Sequence, residues 1–286
     1  MKESLFYIKK EQSDEIRCTL CPKACYVKEG DYGYCLARKN INGKFYLQTY
    51  GKITSMALDP IEKKPLYKFM PGSNILSIGM YGCNMNCPFC QNHTIAKERA
   101  IVKDISVDEI IKTAQSLKKY KNIGVAYTYN EPLIGYEFVL DCSKAIRKAE
   151  MKNVLVSNGM ISQKPLVDLL PFIDAANIDL KCYNKERYKK VLEGNLDVVK
   201  NNIRIIHNMN VHLEITMLIV PDLNDRQDEF INAVNFIADI SPDIPLHISR
   251  YYPARKYDKL PPDINKLNDM KNLALNRLNC VFLGNV

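Results

Sequence analysis

The stretch Ser77-Ile-Gly-Met-Tyr-Gly-Cys83-Asn-Met-Asn-Cys87-Pro-Phe-Cys90-Gln-Asn92 decides how the rest of the chain is read. It holds three cysteines within eight residues, with three residues between the first pair and two between the second. Thiolates at this density bind metal. A zinc site needs four ligands, and closely spaced zinc cysteines usually come as two separated C-x-x-C pairs. No fourth cysteine lies close to this triplet. Three thiolates on a four-iron cluster leave one iron without a protein ligand, open to a substrate or cofactor. Zinc and an incomplete ferredoxin-like site are the competing readings.

A second set of cysteines precedes the triplet: Cys18-Thr-Leu-Cys21-Pro-Lys-Ala-Cys25, then Cys35. Four cysteines within eighteen residues make a complete shell for one tetrahedral centre, zinc or iron–sulfur. Four reduced structural cysteines are the plain alternative. Asn42-Gly43 then marks a tight hairpin between 38–41 and 44–50. The three prolines of 59–72 predict an irregular but ordered linker. The expected division is therefore a small N-terminal Cys-rich metal-binding β unit with its linker, residues 1–72, and a main domain, residues 73–286.

The 286 residues are 47% hydrophobic and 25% charged, ordinary for a globular protein with a large core. No apolar run approaches the ~20 residues of a membrane span, and Met-Lys-Glu-Ser does not open a signal peptide. The expectation is a cytoplasmic protein with no membrane partner, in a compartment where ten cysteines serve metals rather than disulfides. The net charge of +8 reads as a solvated lysine surface. No basic cluster interleaved with aromatics argues for nucleic acid, and no glycine-rich phosphate loop is present.

From residue 74 the pattern alternates. Strands are expected near 75–80, 123–129, 153–156, 173–180, 211–220, 245–248 and 280–283. Helices are expected between them, the first capped by Ser106 with Glu109 three residues on. Alternation of this kind implies βαβ units and a parallel sheet, here a full or partial (β/α) barrel, whose working residues sit at the C-terminal strand ends. Polar residues recur at those ends: Asn130 and Glu131, Ser157 and Asn158, Asp179 and Lys181, Thr216, and His247. Each has a dull explanation alone, as a turn, a surface pair or a core histidine. Their shared position on one rim is harder to dismiss.

The C-x3-C-x2-C spacing, with Phe89 before the last cysteine, resembles the signature of radical S-adenosylmethionine (SAM) enzymes. Further stretches extend the likeness: Asp59-Pro-Ile-Glu-Lys-Lys-Pro-Leu66, Tyr129-Asn-Glu-Pro132, Ile178-Asp-Leu-Lys181 and Pro245-Leu-His-Ile-Ser-Arg250. Together they resemble the pyruvate-formate-lyase-activating-enzyme-like group, and within it the branch called the AmmeMemoRadiSam system radical SAM enzyme. The resemblance implies a partial (β/α)6 TIM-type barrel and a [4Fe–4S] cluster on Cys83, Cys87 and Cys90. It places SAM against Asn130, Glu131, Ser157, Asn158, Asp179, Lys181 and His247. It also implies an electron donor such as ferredoxin or flavodoxin, and a 5′-deoxyadenosyl radical acting on an unidentified substrate, a protein among the candidates. Activation of a glycyl radical enzyme is one alternative; a zinc-stabilised binding protein without turnover is another. The sequence departs from the group at Thr216, where known activases carry an arginine for the SAM carboxylate, and in placing its extra cysteines before the barrel.

Overall fold

In the computed structural model, which describes residues 1–9, 13–98 and 100–286, one eight-stranded sheet follows the chain in order. Its strands are β1 (Ser55–Pro60), β2 (Asn74–Gly79), β3 (Asn122–Tyr127), β4 (Lys152–Ser157), β5 (Ala175–Asp179), β6 (His212–Ile219), β7 (Leu246–Arg250) and β8 (Val281–Gly284). All neighbours from β2 to β8 pair in parallel, and β1 pairs antiparallel with β2. The central strands are buried along almost their whole length, as a parallel sheet covered on both faces requires. The helices α1 (Val107–Ser116), α2 (Tyr136–Lys148), α3 (Gln163–Leu169), α4 (Leu196–Asn208), α5 (Gln227–Ala238) and α6 (Ile264–Leu275) alternate with β2–β8. This is the expected partial barrel, its seventh parallel strand standing where the sequence predicts one near 280–283. Ser106 does cap α1, its Oγ accepting from Glu109 N at 3.2 Å while Glu109 Oε2 accepts from Ser106 N at 2.8 Å. Among the described residues no helix is long and apolar enough to cross a membrane.

The proline-rich linker differs from the irregular segment expected. Its first two residues, Asp59 and Pro60, close β1, a strand of the barrel's own sheet that lies within the residues 1–72 expected to form the N-terminal unit. Pro60 is tolerated because it ends an edge strand and owes no ladder hydrogen bond there. Beyond it, Ile61 and Leu66 are fully buried against Ile75, Ala126, Val154 and Ala175, from β2, β3, β4 and β5. These sit on the same strand face as the cavity-lining Thr128, Val156 and Asp179, by the two-residue period of a strand. The linker therefore plugs the inside of the barrel beneath the cavity.

Two polar side chains pin this plug. Asn177 Nδ2 donates to Pro65 O at 2.7 Å, and Glu214 accepts from the backbone N–H groups of Tyr67 and Lys68 at 3.0 and 2.8 Å. Glu214 also faces His212 Nε2 at 2.9 Å and His247 Nε2 at 2.6 Å. Burial alone would raise its pKa, but these hydrogen bonds outweigh burial and hold it at about 2, below its ordinary 4.5. A depressed folded-state pKa gives stability that is complete above the unfolded value and lost as pH falls through the folded one. Glu214 should contribute about 3 kcal/mol above pH 4.5, fading toward pH 2. Urea unfolding of wild type and Glu214→Gln should differ at pH 7 and converge toward pH 2. A gap independent of pH would refute the assignment.

The N-terminal unit is built from short antiparallel strands, among them the hairpin Arg38–Ile41/Lys44–Leu47. Asn42 and Gly43 both have positive φ, +52° and +69°, as the tight turn read from the sequence requires. Arg38 docks the unit on the barrel. Its guanidinium is fully buried, donates to Glu137 Oε1 and Oε2 at 3.0 and 2.6 Å and to Ile134 O, and touches Ser4 Oγ.

Candidate functional site

At the C-terminal ends of the strands lies a cavity of about 360 Å³. Cys83, Cys87 and Cys90 all line it, on the loop that leaves β2. Asn130, Glu131, Ser157, Asn158, Asp179, Lys181 and Thr216 line it too, so the structure brings together nearly every residue singled out from the sequence. Among the described residues, the lining contains no fourth cysteine and no histidine. A donor set of three sulfurs with open space beside it fits a four-iron cluster with one free iron, the group the spacing implies.

Each polar residue has a definite job in the geometry. Asn130 Oδ1 accepts from Met80 N and its Nδ2 donates to Gly82 O, both at 3.1 Å, which fixes where the cysteine loop begins. Lys97 Nζ donates to Cys83 O at 3.2 Å and Arg255 to Cys87 O at 2.8 Å, so two cations hold the loop backbone. Glu131 is buried and accepts three hydrogen bonds: from Ser157 Oγ at 2.8 Å, Leu133 N at 3.0 Å and Asn158 N at 2.8 Å. Burial pushes its pKa up to about 7 against the pull of those donors. A carboxylate has about four lone-pair sites, so one remains for a donor in the cavity. Asn158 Nδ2 donates to Asn84 Oδ1 at 2.9 Å and approaches Cys83 Sγ at 3.8 Å. Asp179 and Lys181 form an ion pair at 2.9 Å. Burial would lower the Lys181 pKa, but the Asp179 carboxylate and the Cys87 sulfur hold it above its usual value. Burial likewise pushes the Cys83 thiol up to about 12 and Cys87 to about 11, so thiolates there need a bound cation.

Two expected residues behave differently. His247 does not line the cavity; it is buried one layer below, held by Glu214 and packed between Tyr67 and Phe282, while Ser249, two residues on, takes the rim position. Thr216 does line the cavity, but its hydroxyl donates to Asn177 Oδ1 at 2.9 Å. It supplies no cation in place of arginine. The structure also adds Lys63 and Lys64, which reach the cavity from the plug segment rather than from a strand end, and Tyr129 of the strand-end stretch quoted above joins them. Asp59 accepts from Lys64 Nζ at 2.7 Å and from Tyr129 OH at 2.8 Å, and Lys64 lies 4.8 Å over the Tyr129 ring. Tyr129 has φ +71°, a left-handed conformation that is strained for a tyrosine.

The other four cysteines, Cys18, Cys21, Cys25 and Cys35, line a separate small cavity with Tyr34, Arg38, Asn84 and Ile134. All are free thiols. Burial pushes Cys18 up to about 11 and Cys21 to about 12, with neighbouring cysteines adding to the rise. Among the described residues, no three His, Cys, Asp or Glu side chains are drawn close enough to enclose a single metal ion.

The fold and the site agree with what is found among known proteins. The chain is 39% identical to an uncharacterized protein of Methanocaldococcus jannaschii, across 100% of this chain and 86% of the relative. It is 25% identical to the pyruvate formate-lyase 1-activating enzyme of Escherichia coli strain K12, over 59% of this chain and 70% of that enzyme. Streptococcus suis SuiB, solved bound to its precursor peptide SuiA, superposes with a TM-score of 0.58 at 14% identity, covering 73% of this chain and 47% of SuiB, a likeness of fold. The Radical SAM superfamily profile matches residues 77–236, a span that opens on β2 and runs through the cysteine loop and the strand ends that form the cavity. With three loop cysteines on a partial parallel barrel and that match over more than half its length, the chain belongs to the Radical SAM superfamily and is an enzyme of radical chemistry.

Proposed function

We propose that this enzyme reductively cleaves SAM and applies the resulting radical to hydrogen abstraction, with Cys83, Cys87 and Cys90 holding the [4Fe–4S] cluster. The observation that carries this reading is the convergence of the three cysteines, Glu131 and the Asp179–Lys181 pair on one cavity. SAM bound beside a reduced cluster supplies methionine and a 5′-deoxyadenosyl radical. The chain's own part is to bind and orient. The free lone pair of Glu131 takes the methionine ammonium, and Lys181 takes the carboxylate that arginine holds elsewhere in the group. Ser157 and Asn158 set the Glu131 carboxylate and face the ribose. The plug beneath and the buried strand ends exclude water from the radical. The enzyme is cytoplasmic, draws electrons from a donor such as ferredoxin or flavodoxin, and carries a second metal centre at Cys18, Cys21, Cys25 and Cys35.

Each charge-assisted contact to SAM is worth ~1.5–3 kcal/mol, roughly ten- to a hundredfold in affinity. Glu131→Gln and Lys181→Met should each weaken SAM binding by that factor while iron content stays at the wild-type level. Anaerobic titration of the cluster's electron paramagnetic resonance (EPR) signal with SAM checks this; wild-type affinity in both variants would remove both residues from the site. A second reading, installation of a glycyl radical on a partner protein, is favoured by the relative named pyruvate formate-lyase 1-activating enzyme. Loss of deuterium from a glycine-labelled partner to 5′-deoxyadenosine would establish it.

A further inference from the structure

The four-cysteine unit does not stand apart from the triplet loop. Gly82, the residue before Cys83, has φ +93°, and a Cβ on it would come within 2.2 Å of the Cys35 carbonyl oxygen. Only glycine lets the two backbones approach so closely. Asn84, the residue after Cys83, forms part of the wall around Cys18, Cys21, Cys25 and Cys35, and its Oδ1 accepts from the same Asn158 amide that approaches Cys83 Sγ. Glu193 ties the two units again, accepting from Tyr34 OH at 2.8 Å and from Asn86 Nδ2 at 2.7 Å, and Lys97 lies 4.4 Å over the Tyr34 ring. Among the described residues of 1–50, none lines the large cavity. The N-terminal unit therefore meets the triplet loop from the side turned away from the space where SAM would sit.

Cleavage of SAM consumes an electron, and that electron has to reach a half-buried loop whose open side is taken by SAM. A zinc ion has no redox chemistry and would set an inert centre against the loop. Electron tunnelling falls steeply with distance, so direct backbone contact between two cysteine-bound centres is the arrangement that passes electrons well. We propose that Cys18, Cys21, Cys25 and Cys35 hold a redox-active iron–sulfur cluster that is the electron entry point, with the Cys35–Gly82 contact as the route to the centre at Cys83, Cys87 and Cys90. This rests on the reading of the triplet given above. A low-potential donor is oxidised by one electron, the entry cluster is reduced by one, and it returns to its oxidised state as the triplet centre is reduced. No bond forms or breaks, and no proton moves.

The test uses the full chain, reconstituted anaerobically with iron and sulfide. Wild type should hold about eight irons and no zinc, and Cys21→Ser/Cys25→Ser about four. In fully reduced wild type the two clusters should show magnetic interaction in the EPR spectrum, a readout that needs no variant. The double variant should keep the SAM-dependent change of its remaining signal, yet lose the fast phase of reduction by pre-reduced flavodoxin in stopped flow. One zinc with about four irons in wild type, two non-interacting signals, or an unchanged fast phase in the variant would each overturn the proposal. Failure of the triplet reading looks different: the SAM-dependent change would then survive replacement of Cys83, Cys87 and Cys90.

Discussion

Replacing Cys83, Cys87 and Cys90 together by alanine should abolish SAM cleavage and remove about four irons per chain, while the protein still unfolds cooperatively. The expectation of intact folding comes from where the three side chains sit. They are half-buried on a cavity wall, and the loop backbone is fixed independently by Asn130, Lys97 and Arg255. The loss of function should be total because, among the described residues, no fourth cysteine or histidine lines the cavity to substitute as a ligand. Iron and sulfide analysis with a SAM-cleavage assay reads both effects. A variant that keeps full iron and still cleaves SAM would show the cluster to be elsewhere.

The second large effect is on stability. Arg38→Met should cost about 3–5 kcal/mol, because it leaves the Glu137 carboxylate buried without its partner. Ile134 O would lose its two guanidinium donors in the same step. The cost should be visible as an earlier urea midpoint, and Arg38→Met/Glu137→Met should recover most of it, since removing both charges leaves none uncompensated. A single-variant cost under about 1 kcal/mol would mean that Arg38 does not anchor the N-terminal unit.

What the sequence could announce was whatever local chemistry dictates. Ser106 with Glu109, Asn42 with Gly43 and the strand–helix alternation each follow from short-range hydrogen bonding and period, and each appears where expected. The cysteine spacing announced its own cavity for the same reason. Long-range polar partnerships were not legible. Nothing in Asp59–Gly72 says that Glu214, far along the chain, will accept its backbone N–H groups and turn a proline-rich linker into a barrel plug. Glu214 also holds His247 below the rim, where its place in the strand, two residues before Ser249, puts it. Lys63 and Lys64 went unnoticed as cavity residues although their stretch carried part of the family likeness; they come from the plug rather than from a strand end. Strand-end logic finds only what the βα loops deliver.

One cavity should join the cluster to SAM for reductive cleavage. The most direct test is anaerobic incubation of the reconstituted protein with SAM and a strong reductant, followed by chromatography of the products. 5′-Deoxyadenosine and methionine should form in equal amounts, and only when the reductant is present. Intact SAM alongside a full complement of iron and sulfide would contradict it.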